Sequence, residues 1–142
     1  MEDREIALDE IYNRIVAAGV SIGIKSVQRA PMSPLDPKKF PCISLFEGPD
    51  EVVKVNSRGV SIYPARRLME VVLELSASDS DDMKVLYQKV RTTVLANPIL
   101  SNNTFISELR TEGPMGYDIP NTQGMRLVLA LVYTDEGLII TI

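Results

Sequence analysis

The apolar positions of this chain switch between two periods, and the switches mark its elements. Leu8, Ile11, Tyr12, Ile15 and Val16 recur at the i, i+3, i+4, i+7, i+8 spacing, which predicts an amphipathic helix over residues 3–18. Asp3 stands at the N-cap position, and Gly19 is the expected stop. Residues 20–29 hold a short apolar stretch in which Lys25 to Arg29 alternate, the pattern of a strand. Pro31, Pro34, Pro37 and Pro41 then make residues 31–41 a loop, because each proline removes a ladder donor.

Cys42 to Phe46 is expected as a strand ending at Gly48-Pro49, and Glu51 to Val55 as a second extended piece, followed by a turn at Asn56-Ser57-Arg58-Gly59. Leu68 to Ser76 alternates most cleanly. Met69, Val71, Leu73 and Leu75 share one face and Glu70, Val72 and Glu74 the other, so one side of the sheet is dry and the other wet. Met83, Leu86, Tyr87, Val90, Val94 and Leu95 predict a second helix over 81–96, capped by the acidic cluster 79–82 and stopped by Asn97-Pro98.

Thr104 to Glu112 alternates again, with Phe105, Leu109 and Thr111 set against Glu108, Arg110 and Glu112, and is broken by Gly113-Pro114-Met115-Gly116. Met125 to Tyr133 is apolar on both faces, as a central strand must be. After a turn at Asp135-Glu136-Gly137 come Leu138, Ile139, Ile140, Thr141 and Ile142. The order α-β-β-β-β-α-β-β makes this an α+β chain. The expected form is one domain over 1–142, with a mostly antiparallel or mixed sheet and both helices packed on its dry face.

Composition narrows the function. At 142 residues, 45% hydrophobic and 24% charged, the chain suits one compact globular domain. Its net charge of -4 disfavours nucleic-acid binding through phosphates. It has no His, which removes Ser-His-Asp and Cys-His machinery, His-based zinc sites and the usual acid-base group near neutral pH. No enzyme activity and no cofactor or metal are expected. One Cys allows no internal disulfide. The charged N-terminus is unlike a signal peptide, and the longest apolar run, Leu127 to Tyr133, is far below the ~20 residues that span a bilayer, so no membrane partner is expected.

Each candidate chemistry has a structural explanation. Asp79, Asp81 and Asp82 lack calcium-loop spacing and read as a helix cap. Cys42, after a proline and inside an apolar strand, reads as buried. Glu70 and Glu74 are ~13 Å apart along one strand, too far for a cooperating carboxylate pair. Arg66-Arg67, Lys38-Lys39 and Arg58 are short basic clusters without interleaved aromatics, and read as serving solubility or inter-subunit pairing with the acidic excess. Two features ask for more. The segment 47–66 is long and rich in Gly, Pro and charge, and the apolar tail 138–142 is built to add a strand to its own sheet or to a neighbour's.

The layout resembles the tail terminator family of long-tailed bacteriophages, small minor tail proteins. The likeness runs from the helix Ile6–Ala18 through the Pro-rich loop into Phe40-Pro41-Cys42-Ile43-Ser44-Leu45. It continues with the strand Arg67–Leu75, the helix Asp82–Ala96, the strand Phe105–Thr111 and the closing strand Gly124–Tyr133. The resemblance implies a structural virion protein at the head-proximal end of the tail, assembled in the bacterial host cytoplasm. It implies a homohexameric ring that caps the tail tube, stops tube polymerisation and offers the surface for head joining. Its partners would be its own copies, the tail tube protein and a head-tail neck or completion protein, and DNA would pass through the lumen without sequence-specific binding. Six copies at -4 would carry -24, and a lumen not lined with strong basic patches would let DNA slide rather than stick. Within that picture Arg58, Arg66, Arg67, Glu51 and Lys54 are the expected subunit or tube interface, and Leu138, Ile139, Ile140 and Ile142 the expected strand-addition segment. The alternatives are a phage neck or head-completion connector and a small-ligand-binding α+β domain.

Overall fold

Helix α1 (Asp3–Ile22) buries Ala7, Leu8, Ile11 and Ile15 along one stripe, as its spacing predicts. The computed structural model describes residues 3–29, 41–52, 65–101, 104–116 and 123–135. The expected stop at Gly19 is corrected, since the helix runs through it to Ile22. The stop is Gly23, whose φ of 81° is the left-handed cap. The N–H of Ile24 donates to the Gly19 carbonyl at 2.8 Å, closing the 6→1 bond of a Schellman motif, and Ile24 tucks into the core behind it.

Six strands follow: β1 (Ser26–Arg29), β2 (Cys42–Val52), β3 (Ala65–Ala77), β4 (Ile99–Leu100), β5 (Thr104–Gly116) and β6 (Gln123–Asp135). They form one sheet in the order β1-β2-β3-β6-β5-β4. Only the β1–β2 pair is parallel. The strand expected to be central is central: β6 lies between β3 and β5.

Two expected strands prove to be one. Cys42–Phe46 and Glu51–Val52 are continuous in β2, and a bulge between Glu47 and Asp50 absorbs Gly48-Pro49. Pro49 is tolerated because β1 pairs only with Cys42–Leu45, so the missing N–H costs no ladder bond among the described residues. Gly48 is required by close approach, because a Cβ there would lie 2.9 Å from the Glu70 Cβ. The segment 47–66 is therefore not one connection: 47–52 is in β2 and 65–66 in β3, and the rest lies outside the described residues.

A second correction concerns β5, which continues past the expected break at Gly113 to Gly116. Its register shifts between Glu108 and Arg110 and between Glu112 and Met115, and Gly113 supplies a φ of 98°. The extra residue Leu109 changes the phase of the strand. Ile106, Glu108 and Thr111 therefore share the face of Leu131, Leu129 and Leu127, while Phe105, Arg110 and Glu112 take the other. Simple alternation through 104–112 had grouped them differently.

Helix α2 (Ser80–Leu95) begins where Asp79, in extended backbone, accepts the Asp82 N–H at 2.8 Å, the cap expected of the acidic cluster. Met83, Leu86, Val90 and Val94 face inward. Both helices lie on one face of the sheet and share a core with Ile43, Leu45, Met69, Leu73, Leu75, Leu127, Leu129 and Leu131. The fold class is α+β, with two helices on one face of a mixed sheet.

Candidate functional site

Strands β3 and β6 pair over their whole length, so every residue of one has a partner of known face on the other. Toward the helices stand Met69, Val71, Leu73 and Leu75 against Leu131, Leu129, Leu127 and Met125. The open face carries Glu70, Val72 and Glu74 against Ala130, Val128 and Arg126. There Arg110 of β5 pairs with Glu70 and, at 3.0 Å, with Glu112. Arg126 pairs with Glu74 at 3.2 Å and Glu112 at 3.7 Å. The result is a ladder Glu70–Arg110–Glu112–Arg126–Glu74 across three strands. Glu70 and Glu74 thus each answer an arginine rather than each other, on the wet face read from the sequence. Val128 and Ala130, in the middle of the ladder, are buried although no described helix covers that face.

The two arginines singled out together are separated by strand alternation. Arg66 stands on the open face, donating to Thr134 Oγ1 at 2.8 Å with its guanidinium 5.7 Å from the centre of the Phe105 ring. Arg67 stands on the helix side, 3.7 Å from the Asp50 carboxylate. Glu51 is exposed on β2, opposite Leu68. Lys54, Arg58, Lys38-Lys39 and the tail residues Leu138, Ile139, Ile140 and Ile142 lie outside the described residues.

A polar clasp at the same end of the sheet escaped sequence reading. Asp50 accepts the Tyr133 hydroxyl and, at 3.2 Å, the Arg4 guanidinium, which also reaches Glu47 at 2.8 Å. The bulge in β2 is what turns both Glu47 and Asp50 toward α1. Burial, and then the hydrogen bond to the Asp50 carboxylate, push the Tyr133 hydroxyl well above the usual tyrosine range. These partners are 46 and 83 residues apart, so no local pattern announces them.

On the other side of α1, Arg14 donates to the carbonyls of Val94, at 3.2 Å, and Asn97, and to that of Ile99 at 3.2 Å. Helix α2 has no basic residue in its last turn, so α1 supplies the cation its C-terminus favours. Glu10 accepts the Ser101 N–H at 2.9 Å. Beside these residues lies an open depression of about 550 Å³. Its Asp9, Glu10 and Arg14 are already engaged, by Arg29, Ser101 and α2, so it does not present the convergent unengaged polar groups of a small-ligand site.

Among the described residues no group of His, Cys, Asp and Glu could hold a metal ion. Cys42 is buried in β2. No described helix is long and apolar enough to cross a membrane. Exposed large apolar side chains among the described residues are Val16 on α1, Val85 on α2, and Ile99, Phe105 and Leu109 along β4 and β5.

No family model matches the sequence, and no curated protein matches it. Among solved structures, the fold is similar to a chain from the virion of a native gene transfer agent particle. The likeness has a TM-score of 0.59 over 87% of this chain and 91% of that one, at 16% identity.

Proposed function

We propose that this chain is a structural virion protein of a phage-like particle that acts as a tail terminator. Copies assemble as a ring at the head-proximal end of the tail tube, halt tube growth and present the surface that the head joins. The observation that carries the reading is the shared fold with a gene transfer agent virion chain, which spans nearly the full length of both. The layout of the sequence supports the terminator role within that class. The surface chemistry agrees: the charged groups of the open face are paired with one another, and Ile99, Phe105 and Leu109 leave apolar surface exposed at the β4–β5 edge.

Within the ring, Arg66 and Glu51 remain contact candidates on the described surface, with Lys54 and Arg58 beside them in sequence. Arg67 is a poor probe because it already serves Asp50 within its own chain. Arg66 is likewise held by Thr134 and the Phe105 ring, so Glu51→Lys, at an exposed position, is the cleaner reversal, and it should weaken ring formation while the chain stays folded.

The test is electron microscopy of particles from the phage or prophage that encodes this chain, with the gene deleted. Tubes of uncontrolled length without heads are expected. Tails of normal length beside separate filled heads would move the protein to the neck, and intact infectious particles would overturn the virion reading.

A further inference from the structure

We infer that Glu51 of one copy pairs with Arg66 of the next, so that the β2 margin of each copy docks on the β4–β5 margin of its neighbour. This rests on the ring reading above and supplies its seam.

The strand registers join five residues into one row across the sheet. Glu51 opposes Leu68, Leu68 opposes Val132, Val132 opposes Phe105, and Phe105 opposes Ile99. Met69 is buried toward the helices, so its neighbour Leu68 and the whole row stand on the open face. The row begins at the β2 margin with a carboxylate and ends at the β4–β5 margin with two exposed apolar side chains, Phe105 and Ile99. Arg66 starts on β3, one strand from β2, and turns the other way. Its guanidinium reaches over β6, donates to Thr134 and rests 5.7 Å from the centre of the Phe105 ring. Opposite charges thus stand toward opposite ends of one row.

Each of these charges is the unanswered one of its group. On β2, Glu47 is held by Arg4, and Asp50 by Arg4 and Tyr133. Glu51 is exposed and has no cation among the described residues. On the open face, Arg110 and Arg126 each hold two carboxylates. Arg66 holds none among the described residues. A guanidinium over an aromatic ring keeps donors free at its edge, fixed in place for an incoming carboxylate. The two margins are different surfaces on opposite sides of the sheet, so the contact is heterologous. Each copy offers both halves, and a rotation that closes makes a ring. Phe105 and Ile99, once covered by the neighbour, exclude water from the ion pair and strengthen it.

The experiment is complementation of particles that lack the gene, with Glu51→Lys and Arg66→Glu chains supplied singly and together. Alone, each variant sets like charges at every seam and should lower the yield of joined particles roughly tenfold or more. Together they should restore it, because in an alternating ring every seam again joins a cation to a carboxylate. A pair within one chain gives no such rescue, since each variant chain would carry its own clash. Circular dichroism checks that each variant folds. If Arg66→Glu does not, cross-linking decides: Glu51→Cys and Ile99→Cys are combined in one chain on a Cys42→Ala background, and particles are treated with a short bis-maleimide. Both positions are exposed, and within one chain they stand four strand spacings apart, roughly 19 Å, beyond the reagent's reach. Links between copies, forming a ladder of multimers, are expected. Wild-type yield from the single variants, no rescue by a mixture of folded chains, or links from 99 only to a different tail protein would overturn the pairing and leave the ring reading standing. Particles in which the wild-type chain forms no ring would overturn both.

Discussion

The two faces of the sheet are built from the same strands by opposite means. On the helix side, Leu73, Leu75, Leu127, Leu129 and Leu131 are wholly buried under α1 and α2, and dispersion and the hydrophobic effect hold them. On the open side, two residues away at most, Glu70, Glu74, Arg110, Glu112 and Arg126 balance one another across β3, β6 and β5. The first face carries the stability of the fold, and the second is free to be spent on contact. Exposed ion pairs add little to folding but discriminate strongly between partners. Under the proposed assembly role, this division lets the contact surface vary without endangering the core.

Substitutions can break that comparison. Leu73→Ala, on the dry side, leaves a cavity and should cost about 2–5 kcal/mol in urea unfolding. Asp50→Asn removes the charge that faces Arg4 and Arg67 and should cost about 1–3 kcal/mol. It should also change the alkaline limb. Because the folded hydroxyl of Tyr133 holds its proton above the unfolded value, the stability it contributes is full below about pH 10 and falls as pH rises further. That alkaline loss should be shallower in Asp50→Asn, where a neutral amide faces the phenolate, and a pH series of thermal unfolding measures it.

Arg14→Ala leaves the C-terminal carbonyls of α2 to water and should cost about 1 kcal/mol. Arg110→Ala, on the open face, should lower Tm least of the four while changing assembly most, which co-sedimentation with tail tubes can read. At the acid end, the Glu108 carboxylate is held below the usual glutamate range, first by the hydrogen bond from Arg91. Its contribution is present above the unfolded pKa and is lost as pH falls through the folded one, so Arg91→Ala should remove only a small part of acid stability.

The sequence made much of this legible, because periodicity reports burial directly. The stripe Leu8–Ile11–Ile15, the alternation of 68–76 and the doubly apolar run 125–133 each reappear as α1, β3 and central β6. What it misplaced were bulges and caps. Gly48-Pro49 and Gly113-Pro114 look like breaks, yet a bulged strand at the margin of a sheet tolerates both. Gly19 looks like a stop, yet the positive φ sits at Gly23. Strand β4, two residues long, has no period to detect. Arg66-Arg67 reads as one patch in sequence, but neighbours in a strand point to opposite faces. The clasp around Asp50 depends on pairing across the whole chain, which no window of sequence contains.

The central claim is that this chain forms a ring where tail meets head, and imaging the encoded particle by electron cryomicroscopy tests it most directly. A closed ring of copies at the head-proximal end of the tube is the expected result. A particle map whose head–tail joint is complete without this fold would contradict it.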